Sequence, residues 1–246
     1  MAFVLYLAMT AAEFHTDSPL PCPTAWMACH FSPYGTALSN LPSALPKGSL
    51  LILNDRTPVF GHNPERIAQQ LAETAEQFEC SGILLDFQRP DEERTGSIAE
   101  AIAALPYPVA VTPQYAEKLD CAVFLPPPPM TTPLKTHLAP WQGREIWLEA
   151  AMEKQCVRVD KTGSKALPWD GDPLPCPHTD EALHCTYRIE VHSDHIDFFL
   201  RRDEAQLRAL LEEGEQLGIS RFVGLYQQLG ASFAQEMAAD TARFHS

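Results

Sequence analysis

The chain has 246 residues, of which 45% are hydrophobic and 20% charged, and it is too long for a minimal domain. Such a chain can bury a large core, so it needs neither disulfides nor a structural metal in order to fold. Its net charge of −14, from 18 basic and 32 acidic residues, opposes binding to nucleic acid or to an anionic membrane surface.

The first apolar run covers residues 3–9, and no lysine or arginine precedes it. A secretory signal peptide needs a positively charged region before its apolar core. The run therefore predicts a buried strand, which we expect to pair with the strands that end near His30 and Tyr226. No stretch of the sequence reaches the roughly 18 apolar residues of a membrane span.

Further apolar runs alternate with helical patterns along the chain. In order, the runs cover residues 24–31, 49–55, 82–87, 107–113, 121–126, 145–151 and 221–226. They are mostly continuous rather than alternating, which is typical of parallel strands that are buried on both faces. Helices are predicted at residues 64–78, 97–105 and 203–218, where apolar side chains recur with the helical period.

The segment between residues 155 and 200 breaks this rhythm. A turn around residues 161–164 and a second turn at Ser193 and Asp194 each separate two strand-like runs. The segment therefore predicts a small antiparallel excursion of β-hairpins, placed before the last helix and the last strand.

Eight apolar runs with helices between them predict an α/β protein with a parallel sheet that closes on itself. The expected architecture is a single (β/α)₈ TIM barrel domain over residues 1–246, with the β-hairpin insertion at about residues 155–200. The alternative is an open, doubly wound sheet. Its usual glycine-rich phosphate loop is absent from this sequence.

The seven cysteines are odd in number and follow no disulfide-framework spacing. Cys29, Cys80 and Cys121 lie in or beside apolar runs, where unpaired cysteines pack as small hydrophobic side chains. This usage is typical of a reducing compartment and predicts a cytoplasmic protein with unpaired thiols.

Polar side chains collect at the predicted carboxyl ends of the strands, where barrel enzymes carry their sites. The candidate ligand-binding residues are His30, Asn54, Asp55, Gln88, Arg89, Gln114, Tyr226 and Gln227. Asp86 and Glu149 add two carboxylates, and nearby aromatic residues are Trp26, Phe31, Tyr34, Trp141 and Trp147. Such groups suit a neutral, hydroxyl-rich small molecule such as a saccharide, and they predict no cofactor.

Two segments resemble the family 18 glycoside hydrolases, a group of chitinase-like and spore-cortex-lytic barrels. The segment GILLDFQRP, with Ser81 before it, lies where that family carries the motif D-G-x-D-x-D-x-E on its fourth strand. The segment DFFLRRDEAQLRALLEEGEQLGISRFVGLYQQLG resembles the family's last strand–helix–strand unit. The insertion also falls where those enzymes carry a small α+β element. The resemblance implies a TIM barrel with a glycoside-hydrolase-like site.

The departures from that motif bear directly on activity. Ser81 and Leu84 replace its first two acids, Asp86 is retained, and Gln88 replaces the glutamate that protonates the leaving group. An amide has no proton to give at neutral pH, so general acid catalysis by that residue is lost. The resemblance also places Leu125 and Pro126 where the family has a Tyr-Asp pair. It places Tyr226 where the family has a tryptophan that forms the floor of the sugar-binding site.

Three hypotheses follow. In the first, the barrel is a degenerate relative that binds a saccharide or a related neutral ligand without cleaving it. In the second, it is an active glycoside hydrolase whose acid and base are Asp86 and Glu149, at the ends of two strands. In the third, it is a non-catalytic structural or interaction protein, which a plugged barrel mouth would favour.

One cluster of the sequence contains residues that can bind zinc. Cys176, His178, His184 and Cys185 are zinc-ligand types, but their spacing matches no common zinc finger. The segment HSDH at residues 192–195 is interpreted as a hairpin turn. The sequence therefore predicts no metal. The run Pro126 to Pro129 is either a polyproline ligand or a rigid exit from a strand.

Overall fold

The computed structural model describes residues 3–15, 23–32, 34, 36–57, 63–89, 94–169 and 175–243. The strands are β1 (Val4–Met9), β2 (Thr24–Phe31), β3 (Leu38–Ser39), β4 (Leu50–Asn54), β5 (Gly82–Asp86), β6 (Val109–Val111), β7 (Ala122–Leu125), β8 (Ile146–Ala150), β9 (Glu153–Asp160), β10 (Gly163–Leu167), β11 (His178–Asp180), β12 (Cys185–Val191), β13 (His195–Arg202) and β14 (Arg221–Leu225). The helices are α1 (Pro64–Gln77), α2 (Arg94–Ala103), α3 (Pro113–Ala116), α4 (Leu134–Leu138), α5 (Glu204–Gln216) and α6 (Tyr226–Arg243).

Eight strands form a closed parallel barrel in the order β1-β14-β8-β7-β6-β5-β4-β2, and pairing of β1 with β2 completes the ring. The N-terminal run lies where the sequence predicted it. β1 pairs with β14 from Val4 opposite Arg221 to Ala8 opposite Leu225, and it pairs with β2 on its other edge. The predicted (β/α)₈ TIM barrel is thus confirmed by the closed ring of parallel strand pairings.

Side chains that alternate along the strands fill the barrel interior. They include Tyr6, Ala8, Ala25, Leu50, Ile52, Leu84, Ala110, Ala122, Trp147 and Val223. Trp147 is completely buried. Four alanines in this set leave the space that its indole needs, as close packing of a barrel interior requires.

The amino-terminal end of the barrel is closed around Gly82. The Arg221 guanidinium lies 4.6 Å from the centre of the Trp147 ring and donates a 3.2 Å hydrogen bond to the Ser81 carbonyl. A Cβ atom on Gly82 would lie 2.9 Å from both the Pro108 carbonyl oxygen and an Arg221 nitrogen. Because only glycine fits this approach, the residue is a packing requirement of the barrel.

The helix boundaries follow from local sequence. Asn63 caps α1 by accepting a hydrogen bond from the Arg66 backbone, and Pro64 occupies the first turn. Asp203 caps α5 by accepting from the Ala205 backbone. Gly230 interrupts α6 with a φ of 71°. No helix in the described part of the chain is long and apolar enough to cross a membrane.

The chain divides into two compact units. The first comprises Met1–Pro126, Gly143–Glu149 and Ile219–Ser246, and the second comprises Pro127–Gln142 and Ala150–Gly218. That residues 1–246 form one domain therefore stays a prediction. The second unit contains an antiparallel sheet in the order β10-β9-β13-β12-β11. The predicted hairpin insertion is thus confirmed, and the sheet extends from Glu153 to Arg202.

Arg202 organises the second unit from its interior. Its side chain is fully buried, donates to the Pro128 carbonyl at 3.0 Å and lies 3.2 Å from a Glu153 carboxylate oxygen. Burial lowers the pKa of Arg202 and raises the pKa of Glu153, while the attraction between the two groups opposes both shifts. The contact gives the proline run a structural role, since Pro128 supplies one of the acceptors that a buried guanidinium needs.

Candidate functional site

A cavity of about 530 Å³ lies at the carboxyl ends of the barrel strands. Its floor consists of interior side chains of the barrel, among them Ala8, Ile52, Leu84 and Val223. Its polar lining is supplied by Asn54, Asp55, Arg56, Asp86, Gln88, Thr112, Gln114 and Glu149. The position agrees with the rule that barrels build their sites at this end.

Asp86 and Gln88 both face the cavity, as alternation along a strand predicts. The Gln88 amide nitrogen donates to an Asp86 carboxylate oxygen at 2.5 Å. Phe87, between them, points to the opposite side and packs against Phe31 and Tyr115, with ring centres 5.6 and 5.7 Å apart. Register and packing together therefore hold the amide and the carboxylate inside the cavity.

Asp55 anchors the segment that follows β5. Its two carboxylate oxygens accept hydrogen bonds from the backbone nitrogens of Gln88, at 3.0 Å, and Arg89, at 2.7 Å. The residue is only 3% exposed. A buried carboxylate with both oxygens engaged by backbone donors is a structural support, and this one positions Gln88.

Asn54 supports an irregular part of β2. The pairing between β2 and β4 shifts register between Trp26 and Cys29. The Asn54 amide nitrogen donates to the carbonyls of Cys29, at 2.9 Å, and Met27, at 3.2 Å. The side chain thus satisfies carbonyls near the irregularity that buried backbone cannot leave unpaired.

Gln114 and Thr112 bind the same backbone acceptor. The Gln114 amide nitrogen and the Thr112 hydroxyl donate to the Phe87 carbonyl at 2.5 and 2.8 Å. Both side chains therefore tie the segment after β6 to the segment after β5. Gln114 is exposed and lines the cavity.

The remaining charged groups of the cavity are Glu149 and Arg56. Glu149 lies one residue before the end of β8 and is half-buried. Arg56 is exposed, and sequence reasoning missed it. Its place directly after Asn54 and Asp55 at a strand end was the signal that could have identified it.

Four candidate residues do not line the cavity. His30 directs its Nδ1 to the Ala28 carbonyl, 3.0 Å away, and the Arg89 side chain donates to the Arg56 carbonyl at 2.6 Å. The other two, Tyr226 and Gln227, begin α6.

Leu225 is the cavity-facing residue at the end of β14. The resemblance had aligned Tyr226 with a sugar-binding tryptophan. The inward position therefore lies one residue earlier than that alignment placed it.

The expected aromatic surroundings also differ. None of Trp26, Phe31, Tyr34, Trp141 and Trp147 lines the cavity, and Phe124 does. Trp26 donates its indole N–H to the Asn40 carbonyl at 2.8 Å. Phe124 is thus the aromatic face that the described residues offer to a ligand.

The fold is shared with chitinase-like barrels of known structure. The spore cortex-lytic enzyme SleL of Bacillus cereus has a TM-score of 0.57 at 11% identity, over 98% of this chain and 74% of that chain. The chitinase-like agglutinin RobpsCRA of Robinia pseudoacacia has a TM-score of 0.56 at 13% identity, and the match covers 96% of this chain and 98% of the agglutinin chain. The third is a Cycas revoluta family 18 chitinase that carries two substitutions and is in complex with (GlcNAc)₄. It has a TM-score of 0.54 at 11% identity, and the match covers 97% of this chain and 99% of the chitinase chain.

The TM-scores establish a common fold, and the low identities limit the conclusion to the fold. The predicted resemblance to family 18 glycoside hydrolases is therefore confirmed at the level of the barrel. No protein-family model matches the sequence, and no curated protein sequence matches it. The activity has to be argued from the cavity itself.

Proposed function

We propose that this barrel binds a saccharide in the cavity at its strand ends and does not hydrolyse it. One observation carries the proposal. The side chain in the cavity at the position that the resemblance assigns to the catalytic acid is Gln88, and its amide donates to Asp86. A primary amide cannot protonate a leaving group, although it remains a good hydrogen-bonding partner for hydroxyl groups.

The chemistry of the cavity supports a saccharide ligand. Its volume of about 530 Å³ is in the range of sites for small molecules. Gln88, Asp86 and Glu149 offer hydrogen-bonding groups above an apolar floor, and Phe124 offers one aromatic face. A sugar presents hydroxyl groups at its rim, which the polar side chains can bind, and C–H groups on its faces, which can pack on the apolar floor and the aromatic ring.

Two proteins that share the fold suggest the first probe. The Cycas revoluta chitinase, in which one substitution replaces a glutamate by glutamine, is seen in complex with (GlcNAc)₄. Another neighbour is described as a chitinase-like agglutinin. These descriptions make (GlcNAc)₄ the reasonable starting ligand for this chain.

Calorimetric titration of the protein with (GlcNAc)₄ tests the proposal. We expect saturable binding that Glu149→Ala and Gln88→Ala each weaken about tenfold, equivalent to about 1.4 kcal/mol for a lost hydrogen bond. Gln69→Ala, on the exposed face of α1, is the matched control and should leave the affinity unchanged. If neither (GlcNAc)₄ nor a broader glycan panel binds, the proposal is wrong.

Arg56 distinguishes a neutral from an acidic saccharide. For a neutral ligand, Arg56→Ala should change the affinity by no more than about fivefold, the effect of an exposed charge. The affinity should also be insensitive to salt. A much larger loss of affinity in Arg56→Ala, together with weaker binding at high salt, would indicate an acidic sugar.

The second candidate function is glycoside hydrolysis by Asp86 and Glu149. One observation favours it, since both carboxylates line the same cavity, as a pair flanking a scissile bond must. Turnover of aryl glycosides by the wild-type protein, abolished by Asp86→Asn and Glu149→Gln, would establish it. The third hypothesis would be favoured by a plugged barrel mouth, whereas the described residues leave a cavity there.

A cytoplasmic location remains part of the proposal. It rests on the unpaired cysteines, because Cys29, Cys80, Cys156 and Cys185 are buried and form no disulfide. Buried, unpaired thiols are common in reducing compartments.

A further inference from the structure

One face of the β12–β13 hairpin collects four groups that can bind a metal. Glu190 pairs with Asp197 across the two strands, and the His192 backbone nitrogen donates to the His195 carbonyl at 2.9 Å to close the turn. Because alternate residues share a face, both histidines lie on the same face as the two acids. The sequence identified residues 192–195 as a turn, which is correct, but it did not place the histidines beside Asp197.

Three donor atoms converge on this face. The Nε2 atoms of His195 and His192 lie 3.5 and 3.8 Å from the same Asp197 oxygen, Oδ2. The two imidazole rings are stacked, with centres 4.3 Å apart. In a tetrahedral zinc site with bonds of about 2.0 Å, neighbouring ligand atoms are about 3.3 Å apart. The two separations from Oδ2 exceed this value by about 0.2 and 0.5 Å, and all three ligand atoms lie within 4.8 Å of one another.

Hydrogen bonding fixes the proton on His195. Its Nδ1 lies 2.7 Å from an Asp194 carboxylate oxygen, which can only accept, so Nδ1 carries the proton. In the neutral ring, Nε2 then presents a lone pair to Asp197. This nitrogen is buried and has no hydrogen-bond partner among the described residues. A cation between this lone pair and the Asp197 oxygen, either a proton on Nε2 or a bound metal ion, removes the repulsion between them.

Hydrogen bonds from Arg158 hold the Asp197 side chain in place and stabilise its anionic form. Its side chain is 8% exposed, and Arg158 holds it through both oxygens, Nε to Oδ1 at 2.8 Å and Nη2 to Oδ2 at 2.7 Å. This hydrogen bonding lowers the pKa of Asp197 below its ordinary value. A carboxylate oxygen has two lone pairs, so Oδ2 can accept from Arg158 and still bind an ion.

A fourth ligand is within reach. The Glu190 Oε2 atom lies 3.9 Å from Nε2 of His192, while its other oxygen accepts from Arg188 at 2.6 Å. Asp194, on Nδ1 of His195, supplies the carboxylate that commonly orients a metal-bound imidazole.

We propose that His192, His195 and Asp197 form a binding site for a divalent transition metal of the zinc class, with Glu190 or water as the fourth ligand. Two imidazoles and a carboxylate suit Zn²⁺ or Co²⁺, whereas Mg²⁺ and Ca²⁺ require more oxygen ligands. The structure does not bring together the ligand atoms of the other candidate cluster, which comprises Cys176, His178, His184 and Cys185. Within the described part of the chain, the ligand atoms that gather closely enough are those of this triad.

Titration of the full-length, chelator-stripped protein with Co²⁺ tests the site. We expect one equivalent to bind with the visible spectrum of a tetrahedral nitrogen–oxygen site, and Zn²⁺ to displace it. His192→Gln and His195→Gln should weaken binding at least about 100-fold, and Asp194→Asn about 10- to 100-fold through the imidazole that it orients. His178→Gln is the control, since His178 lies on the same sheet and packs on Tyr187 instead.

The pH dependence supplies a second readout. Affinity should fall on acidification, because protons compete with the ion for its ligands. Absence of stoichiometric binding at pH 7.5 would overturn the proposal, as would binding that survives His195→Gln. A cobalt spectrum with thiolate charge transfer would also overturn it, because the ion would then be bound by cysteine elsewhere. His192 is 43% exposed on its side chain, so its variant tests the site without disturbing a buried core.

Discussion

The amide of Gln88 is hydrogen-bonded to the carboxylate of Asp86, with 2.5 Å between Nε2 and Oδ1. The two side chains take neighbouring inward positions at the end of β5, above Leu84 in the cavity floor. A carboxyl group at position 88 would instead lie against a second carboxylate. Repulsion between two such groups raises the pKa of one of them, which is the condition that a general acid needs.

Gln88→Glu is therefore expected to produce trace hydrolysis of activated aryl glycosides. General acid catalysis typically accelerates the reaction about 10²- to 10⁴-fold. Because Ser81 and Leu84 still stand where the motif has its other two acids, the gain in hydrolysis rate should be small but measurable. Release of the aryl group from wild type, Gln88→Glu and Gln88→Ala is the measurement. If wild type is already active and Gln88→Ala retains its full rate, the catalytic acid lies elsewhere.

Asp55→Ala is expected to destabilise the barrel. The substitution leaves the backbone nitrogens of Gln88 and Arg89 without their carboxylate acceptor. Hydrogen bonds to charged groups are worth roughly 1.5–3 kcal/mol each, so the free energy of unfolding should fall by about 3 kcal/mol. Urea denaturation measures it. Asp55→Asn, which keeps one acceptor oxygen, should lose less, and an unchanged midpoint in both variants would contradict the anchoring role.

A pair of glycine substitutions tests the closed end of the barrel. Gly82→Ala places a methyl group 2.9 Å from the Pro108 carbonyl oxygen, and such overpacking costs roughly 1–3 kcal/mol of stability. Gly96→Ala is the matched control, because a Cβ at that position in α2 meets nothing within 4 Å. The control should gain about 0.5–1 kcal/mol from helix propensity. Thermal unfolding that shifts both variants in the same direction would refute this packing.

Three buried thiols should react slowly in the native protein, and all seven cysteines should be countable after denaturation. Burial raises the pKa of Cys29 to about 12 and the pKa values of Cys80 and Cys185 to about 11. Since the thiolate is the reactive form, these three should react slowly with a thiol reagent at pH 8. Denaturation without reductant should expose all seven cysteines. A count at least two short of that total would indicate a disulfide and an oxidising compartment.

The barrel was predictable because its strands are continuous apolar runs, and a strand such as 82–86 has few other ways to bury both faces. The shortest elements were not predicted. Leu38–Ser39 and His178–Asp180 form strands through pairing with β2 and β12, and two or three residues carry no periodic signal of their own.

The site was predictable to the extent that it follows strand register. Alternation placed Asp86 and Gln88 in the cavity. It could not show that Asn54 donates to the Cys29 carbonyl or that Asp55 accepts from the Gln88 backbone, because these partners are 25 and 33 residues away in sequence.

The most direct test of the central claim is a single proton NMR experiment on (GlcNAc)₄ mixed with the wild-type protein and followed for a day. The account predicts saturation transfer from the protein to the sugar resonances. It also predicts that this transfer weakens in Glu149→Ala and that no new reducing-end signals develop. New reducing-end signals at a rate that depends on protein concentration would contradict it, because they would show that a barrel with Gln88 at the acid position still cleaves its ligand.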